Sequence, residues 1–237
     1  MIFRQLFEQG SSTYTYLLAC PETRQAVLVD PVLDAVDRDL ATLQELDLTL
    51  AYTLETHIHA DHITSAARLR SLAGAKVACP EMDGLAEADV GVSEMQPLDV
   101  GTIHLQPLFT PGHTDAHHAY LVDSPDAVRV MTGDALLIGG CGRTDFQGGS
   151  AETLYHSIHG KIFTLPGAAL VYPGHDYHDC HVSTVSKERE CNPRLGGGKS
   201  VEEFVAIMAA LKLPYPKKMD VAVPANRRCG EIDEVPS

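Results

Sequence analysis

The stretch Leu54-Glu55-Thr56-His57-Ile58-His59-Ala60-Asp61-His62-Ile63 places three histidines and an aspartate within six residues. It follows the apolar run Leu48–Leu54, which reads as a buried strand. It precedes Ile63–Leu72, whose apolar spacing predicts a helix stopped by Gly74. The turn from strand to helix is where α/β folds bind ligands. In extended chain His57 and His59 project to one side, and Asp61 and His62 are expected to start the helix and turn back over the strand end. A plain helix cap needs an acid or a hydroxyl and has no use for histidine.

Outward from this motif, Thr13–Ala19 and Gln25–Asp30 read as strands, and leucines and valines spaced by three or four predict a helix over Leu33–Leu46. Downstream, Thr102–Phe109, Ala119–Val122, Val128–Met131 and Ala169–Tyr172 read as short strands, and Glu152–Phe163 as a helix. Ser200-Val201-Glu202-Glu203 is a capping box that opens a late helix. Strands outnumber helices, which predicts an α/β sandwich over strict βαβ alternation. Three strands end in turns bearing metal-ligand chemistry: Pro111-Gly112-His113-Thr114, Thr132-Gly133-Asp134 and Pro173-Gly174-His175. In each, glycine lets the chain turn tightly and aims the next side chain into a cleft.

Composition narrows the classes. With 237 residues, 44% of them hydrophobic and 21% charged, the chain has the balance of a globular protein, which excludes disorder and fibrous repeats. Against 32 acids stand 18 Lys and Arg, a net charge of −14, which repels nucleic acid. No run reaches the roughly 18 apolar residues of a membrane span. Met1–Phe7 alternates like a strand and lacks a secretory signal. The expected address is cytoplasmic, or the mitochondrial matrix if a transit peptide has been removed. The six cysteines form no C-x-x-C pair and read as reduced thiols.

The ordered set His57, His59, Asp61, His62, His113, Asp134 and His175 resembles the metallo-β-lactamase superfamily. That likeness implies an α/β four-layer αβ/βα sandwich, here a single domain over residues 1–237 with a helical extension from about residue 183. Two further stretches resemble its persulfide dioxygenase branch: Gly140-Cys141-Gly142-Arg143-Thr144-Asp145-Phe146-Gln147, and His175-Asp176-Tyr177-His178 followed by Asn192-Pro193-Arg194-Leu195 and Val223-Pro224-Ala225-Asn226. Gly174 stands where many of that branch carry alanine. The resemblance implies one Fe(II) per chain on His57, His113 and Asp134, a facial set of two imidazoles and a carboxylate. His59, Asp61, His62 and His175 would surround it with hydrogen bonds that orient the ligands. It also implies oxidation of glutathione persulfide, or another low-molecular-weight persulfide, by O2 and water to the thiol and sulfite. Arg143, Arg194, Tyr177, Cys141 and Thr114 are the implied substrate contacts, with no protein nucleophile, and a homodimer would suit the family.

Several alternatives stay open on the residues alone. A glyoxalase II-type thioester hydrolase would use all seven ligands for two metals and act on S-lactoylglutathione. A metal- or persulfide-sensing module would use the fold for binding only, and a nuclease of the superfamily is disfavoured by the charge. For Arg143 and Arg194 the competing role is a surface ion pair, and for Cys141 a small buried residue. Of the other histidines, His104, His156 and His159 read as strand-surface or core-edge residues, and His117 and His118 as candidates for the ligand surround.

Overall fold

The computed structural model describes residues 1–232 and divides into two compact units. The first comprises Met1–Gly91, Val100–Thr102 and the chain from Tyr215; the second comprises Val92–Asp99 and Ile103–Pro214. In the first, six strands lie in sequence order: β1 (Ile2–Glu8), β2 (Thr13–Ala19), β3 (Gln25–Val29), β4 (Thr49–Leu54), β5 (Lys76–Pro80) and β6 (Val90–Val92). β1, β2 and β3 pair antiparallel, whereas β3, β4 and β5 run parallel. Parallel neighbours need crossovers, and helices α1 (Val36–Glu45) and α2 (Ala66–Ala73) supply them. Leu17, Leu28, Leu43, Leu50 and Leu69 form the core of this unit, with Val36 and Leu40 of α1 packed against it.

The predicted start of α1 at Leu33 is a short 3-10 turn, Leu33–Ala35, that leads into the helix. A larger difference concerns the metal motif. α2 begins at Ala66, so Asp61 and His62 stand in an irregular loop and do not start a helix. The cause is distant in sequence: Asn226, ending α6 (Met219–Asn226), accepts from Thr64 N at 2.9 Å and donates to the carbonyls of His59 and His62 at 2.9 and 2.8 Å. Backbone groups satisfied this way need no helix.

The second unit carries the sheet β7-β8-β9-β10-β11-β12, formed by Leu98–Val100, Ile103–Phe109, His118–Ser124, Ala127–Gly133, Leu170–Pro173 and Ser183–Thr184. β8, β9 and β10 are antiparallel, and β11 joins β10 in parallel after a crossover through α3 (Ala151–Ser157), which continues as a π-helical turn, Ile158–Ile162. α4 (Val185–Cys191) and α5 (Val201–Ala210) complete the unit, and Ser200 and Glu203 close the expected capping box on α5. Its core joins Leu136, Leu154, Ile158, Val171 and Phe204. Among the described residues no helix is long and apolar enough to cross a membrane.

Candidate metal centre

In the first unit the loop leaving β4 buries His57, His59 and His62 almost completely. The His57 and His59 rings face each other with centroids 4.2 Å apart, so the two are neighbours as extended chain requires. The Thr56 hydroxyl donates to Asp30 Oδ2 at 2.9 Å and lies 2.8 Å from His57 Nδ1. A hydroxyl has one proton, and this one is committed to the carboxylate. Thr56 therefore accepts from His57 Nδ1–H, leaving Nε2 with a lone pair. His59 Nε2 lies 3.1 Å from Asp30 Oδ1 and 3.3 Å from Glu55 Oε2. Burial opposes charge on His59, but the Asp30 carboxylate and the bonds to Asp30 and Glu55 outweigh it and raise its pKa well above that of ordinary imidazole.

Asp61 Oδ2 accepts from His62 Nδ1 at 3.0 Å, so His62 Nε2 also carries a lone pair, and that atom is buried with no hydrogen-bond partner. His59, Asp61 and His62 bring one donor atom each within 4.8 Å of one another, as do Asp30, Glu55 and His59.

In the second unit the ends of β8, β10 and β11 deliver His113, Asp134 and His175. His113 Nδ1 donates to the Arg143 carbonyl at 2.7 Å; a carbonyl only accepts, so in the neutral ring Nε2 holds the lone pair. That nitrogen lies 3.6 Å from Asp134 Oδ2. The other carboxylate oxygen, Oδ1, accepts from His175 Nδ1 at 2.7 Å. His117 Nε2 accepts from the Asp134 amide at 3.2 Å, which places His117 behind the backbone of Asp134. Gly142 is a necessity: a Cβ there would lie 2.4 Å from the Asp134 carbonyl oxygen and 2.7 Å from His113 Nδ1. At Gly174 a Cβ would approach Asp134 Oδ1 to 2.7 Å.

The donor set fits a metal ion. An imidazole nitrogen and a carboxylate oxygen 3.6 Å apart are donor types that a transition-metal ion takes, and a buried imidazole nitrogen without a partner, His62 Nε2, costs free energy unless something binds it. His57, His62 and His113 are each held through Nδ1 by a neighbouring oxygen, the usual preparation of a metal ligand.

The expected substrate contacts are placed as follows. Arg143 closes its guanidinium fork on Asp145 at 2.6 and 2.7 Å, donates to the Pro214 carbonyl and lies over the Phe146 ring. Arg194 donates to the Cys141 carbonyl at 2.8 Å. Cys141 is buried in the core of its unit beside Met208, and burial pushes its thiol up to about 11 against the opposing charge of Arg194. Tyr177 is 64% exposed and stacks on His175 with the rings 5.8 Å apart. Thr114 is buried, and its hydroxyl has no hydrogen-bond partner.

Asp30, Thr56 and Asn226 were not among the residues the sequence singled out for the site. Asp30 carried a usable signal, since it ends the apolar run Ala26-Val27-Leu28-Val29 as Asp134 ends its own.

Residues 9–175 match the model of the metallo-β-lactamase superfamily. The chain is 51% identical over 231 residues to the mitochondrial persulfide dioxygenase ETHE1 of Mus musculus, covering 97% of this chain and 89% of that protein. The crystal structure of ETHE1 from Myxococcus xanthus superposes with a TM-score of 0.93 at 53% identity, covering 98% of this chain and all of that one. A hydroxyacylglutathione hydrolase of Polaromonas sp. is 36% identical over 167 residues, 69% of this chain and 62% of the hydrolase. The chain belongs to the metallo-β-lactamase superfamily and, within it, to the ETHE1 persulfide dioxygenase family.

Proposed function

We propose that this protein oxidises glutathione persulfide, or another low-molecular-weight persulfide, with O2 and water to the thiol and sulfite, using one Fe(II) held by His57, His113 and Asp134. The observation that carries this is the 51% identity to a persulfide dioxygenase over 97% of the chain. The prepared lone pairs on His57 and His113, and the carboxylate oxygen of Asp134 beside the latter, support the metal. When bound, the iron supplies the redox coupling between the persulfide sulfur and dioxygen.

The chain's own residues orient and hold. Thr56 and the Arg143 carbonyl fix the two imidazoles, and His175 occupies Asp134 Oδ1, so that Oδ2 is the oxygen that would hold the ion. No side chain is needed as nucleophile. Cys141, its thiol at about 11, stays protonated near neutral pH and is a poor one. A carboxylate of glutathione would take the place of Asp145 on the Arg143 fork, because Asp145 is 59% exposed at its side chain and yields its position at little cost. The mitochondrial address in the mouse relative's name and the six free thiols support a reducing aqueous compartment, the cytoplasm or the matrix.

Oxygen uptake by iron-loaded protein on glutathione persulfide, run beside S-lactoylglutathione, tests the assignment. Uptake with the persulfide and no thioester cleavage is expected. Cleavage of the thioester without oxygen uptake would favour the two-metal hydrolase, to which the likeness is shorter and weaker.

A further inference from the structure

We propose that Thr56 is a positioning residue for His57: its hydroxyl fixes the imidazole as the Nδ1–H tautomer and passes the negative charge of Asp30 on to the metal ligand. This rests on the assignment of His57 as a ligand made above.

The relay is built entirely within one compact unit and lies out of solvent. Asp30 is 1% exposed, Thr56 1% and His57 3%. Asp30 follows β3 in a left-handed conformation, φ 50°, and its backbone is tied on both sides: its amide donates to the Leu54 carbonyl at 2.9 Å and its carbonyl accepts from the Thr15 hydroxyl at 3.0 Å. The carboxylate is therefore fixed before any ligand is considered. Oδ1 accepts from the Thr56 amide at 2.7 Å and faces His59 Nε2, and Oδ2 accepts from the Thr56 hydroxyl at 2.9 Å. Thr56 is thus gripped twice by one carboxylate, at its amide and at its hydroxyl. The hydroxyl then has only acceptor capacity left for His57 Nδ1, 2.8 Å away.

A chain of two short hydrogen bonds ending on a carboxylate polarises along its length. The imidazole gains electron density at Nε2, binds a cation more strongly, and favours the more highly charged state of a redox-active ion. The backbone carbonyl of Arg143 holds the corresponding nitrogen of His113.

Threonine to valine keeps the shape and removes the relay; threonine to serine keeps the relay and removes a methyl. Nitrogen NMR of the metal-free wild-type protein is expected to show His57 protonated at Nδ1. Thr56→Val is expected to weaken Fe(II) and Zn(II) binding by about 10–100-fold, the usual effect of removing such an outer partner, and to raise the Fe(III)/Fe(II) potential, with Thr56→Ser close to wild type in both. The proposal is overturned if wild-type His57 carries its proton on Nε2, if Thr56→Val leaves affinity and potential unchanged, or if Thr56→Ser fails as valine does, which would make the methyl and not the hydroxyl the working group. Neither the tautomer nor the Zn(II) affinity depends on turnover, so absence of persulfide oxidation would remove the functional assignment and leave this one standing.

Discussion

His175 and Asp134 are joined by a 2.7 Å hydrogen bond from Nδ1 to Oδ1, in which both partners are largely buried. One carboxylate oxygen is thereby spent on a neighbour and the other left to face His113. Replacing His175 with alanine frees Asp134 to rotate and is expected to weaken metal binding by about 10–100-fold. Competition titration against a chromophoric chelator measures it, with unchanged secondary structure by circular dichroism as the control.

Gly142 lies against both His113 and Asp134, and its amide donates to the Asp134 carbonyl at 2.7 Å. Gly142→Ala inserts a methyl where there is no room, so either His113 and Asp134 or the loop must move. The expected outcome is a stability loss of about 1–3 kcal/mol together with weakened metal binding. Thermal unfolding with and without metal separates the two, since metal-dependent stabilisation shrinks only if His113 and Asp134 have moved.

Asn226 satisfies three buried backbone groups of the histidine loop. Asn226→Ala strands them and is expected to cost about 2–3 kcal/mol, read from urea midpoints. Asn226→Asp keeps the acceptor for Thr64 but turns the donor end into an acceptor facing two carbonyls. It is expected to be at least as damaging as alanine.

Asp39 supplies a pH test away from the metal. Its side chain is buried, with Oδ1 on Arg38 and Oδ2 without a hydrogen-bond partner, and burial pushes the carboxyl up to about 6 against the opposing charge of Arg38. The folded value lies above the unfolded one of about 3.9, so folding favours the protonated form. The contribution of this group is full below about pH 4 and is lost as pH rises through about 6. Relative to Asp39→Asn, the wild type is expected to lose up to roughly 3 kcal/mol between pH 4 and pH 8, measured as the difference in urea stability at the two ends.

Much of this was legible in the chain before folding. β2 occupies Thr13–Ala19 because its tyrosine, threonine and leucine content suits a strand buried on both faces. His113, Asp134 and His175 end their strands because glycine precedes each of them. The start of α2 was not legible, because Asn226 settles it from more than 160 residues away by taking over the backbone groups a helix would have satisfied. β6 and β7, three residues each, are too short for alternation to register. Asp30 and Thr56 escaped for a different reason: a residue that orients a histidine has no motif of its own, and the contact exists only once β3 and β4 lie side by side.

The most direct test of the central claim is the ratio of O2 consumed to sulfite formed by iron-loaded protein supplied with glutathione persulfide. One O2 per sulfite, with no sulfite under anaerobic conditions, is expected. Sulfite released without oxygen uptake, or oxygen taken up without sulfite, would contradict it.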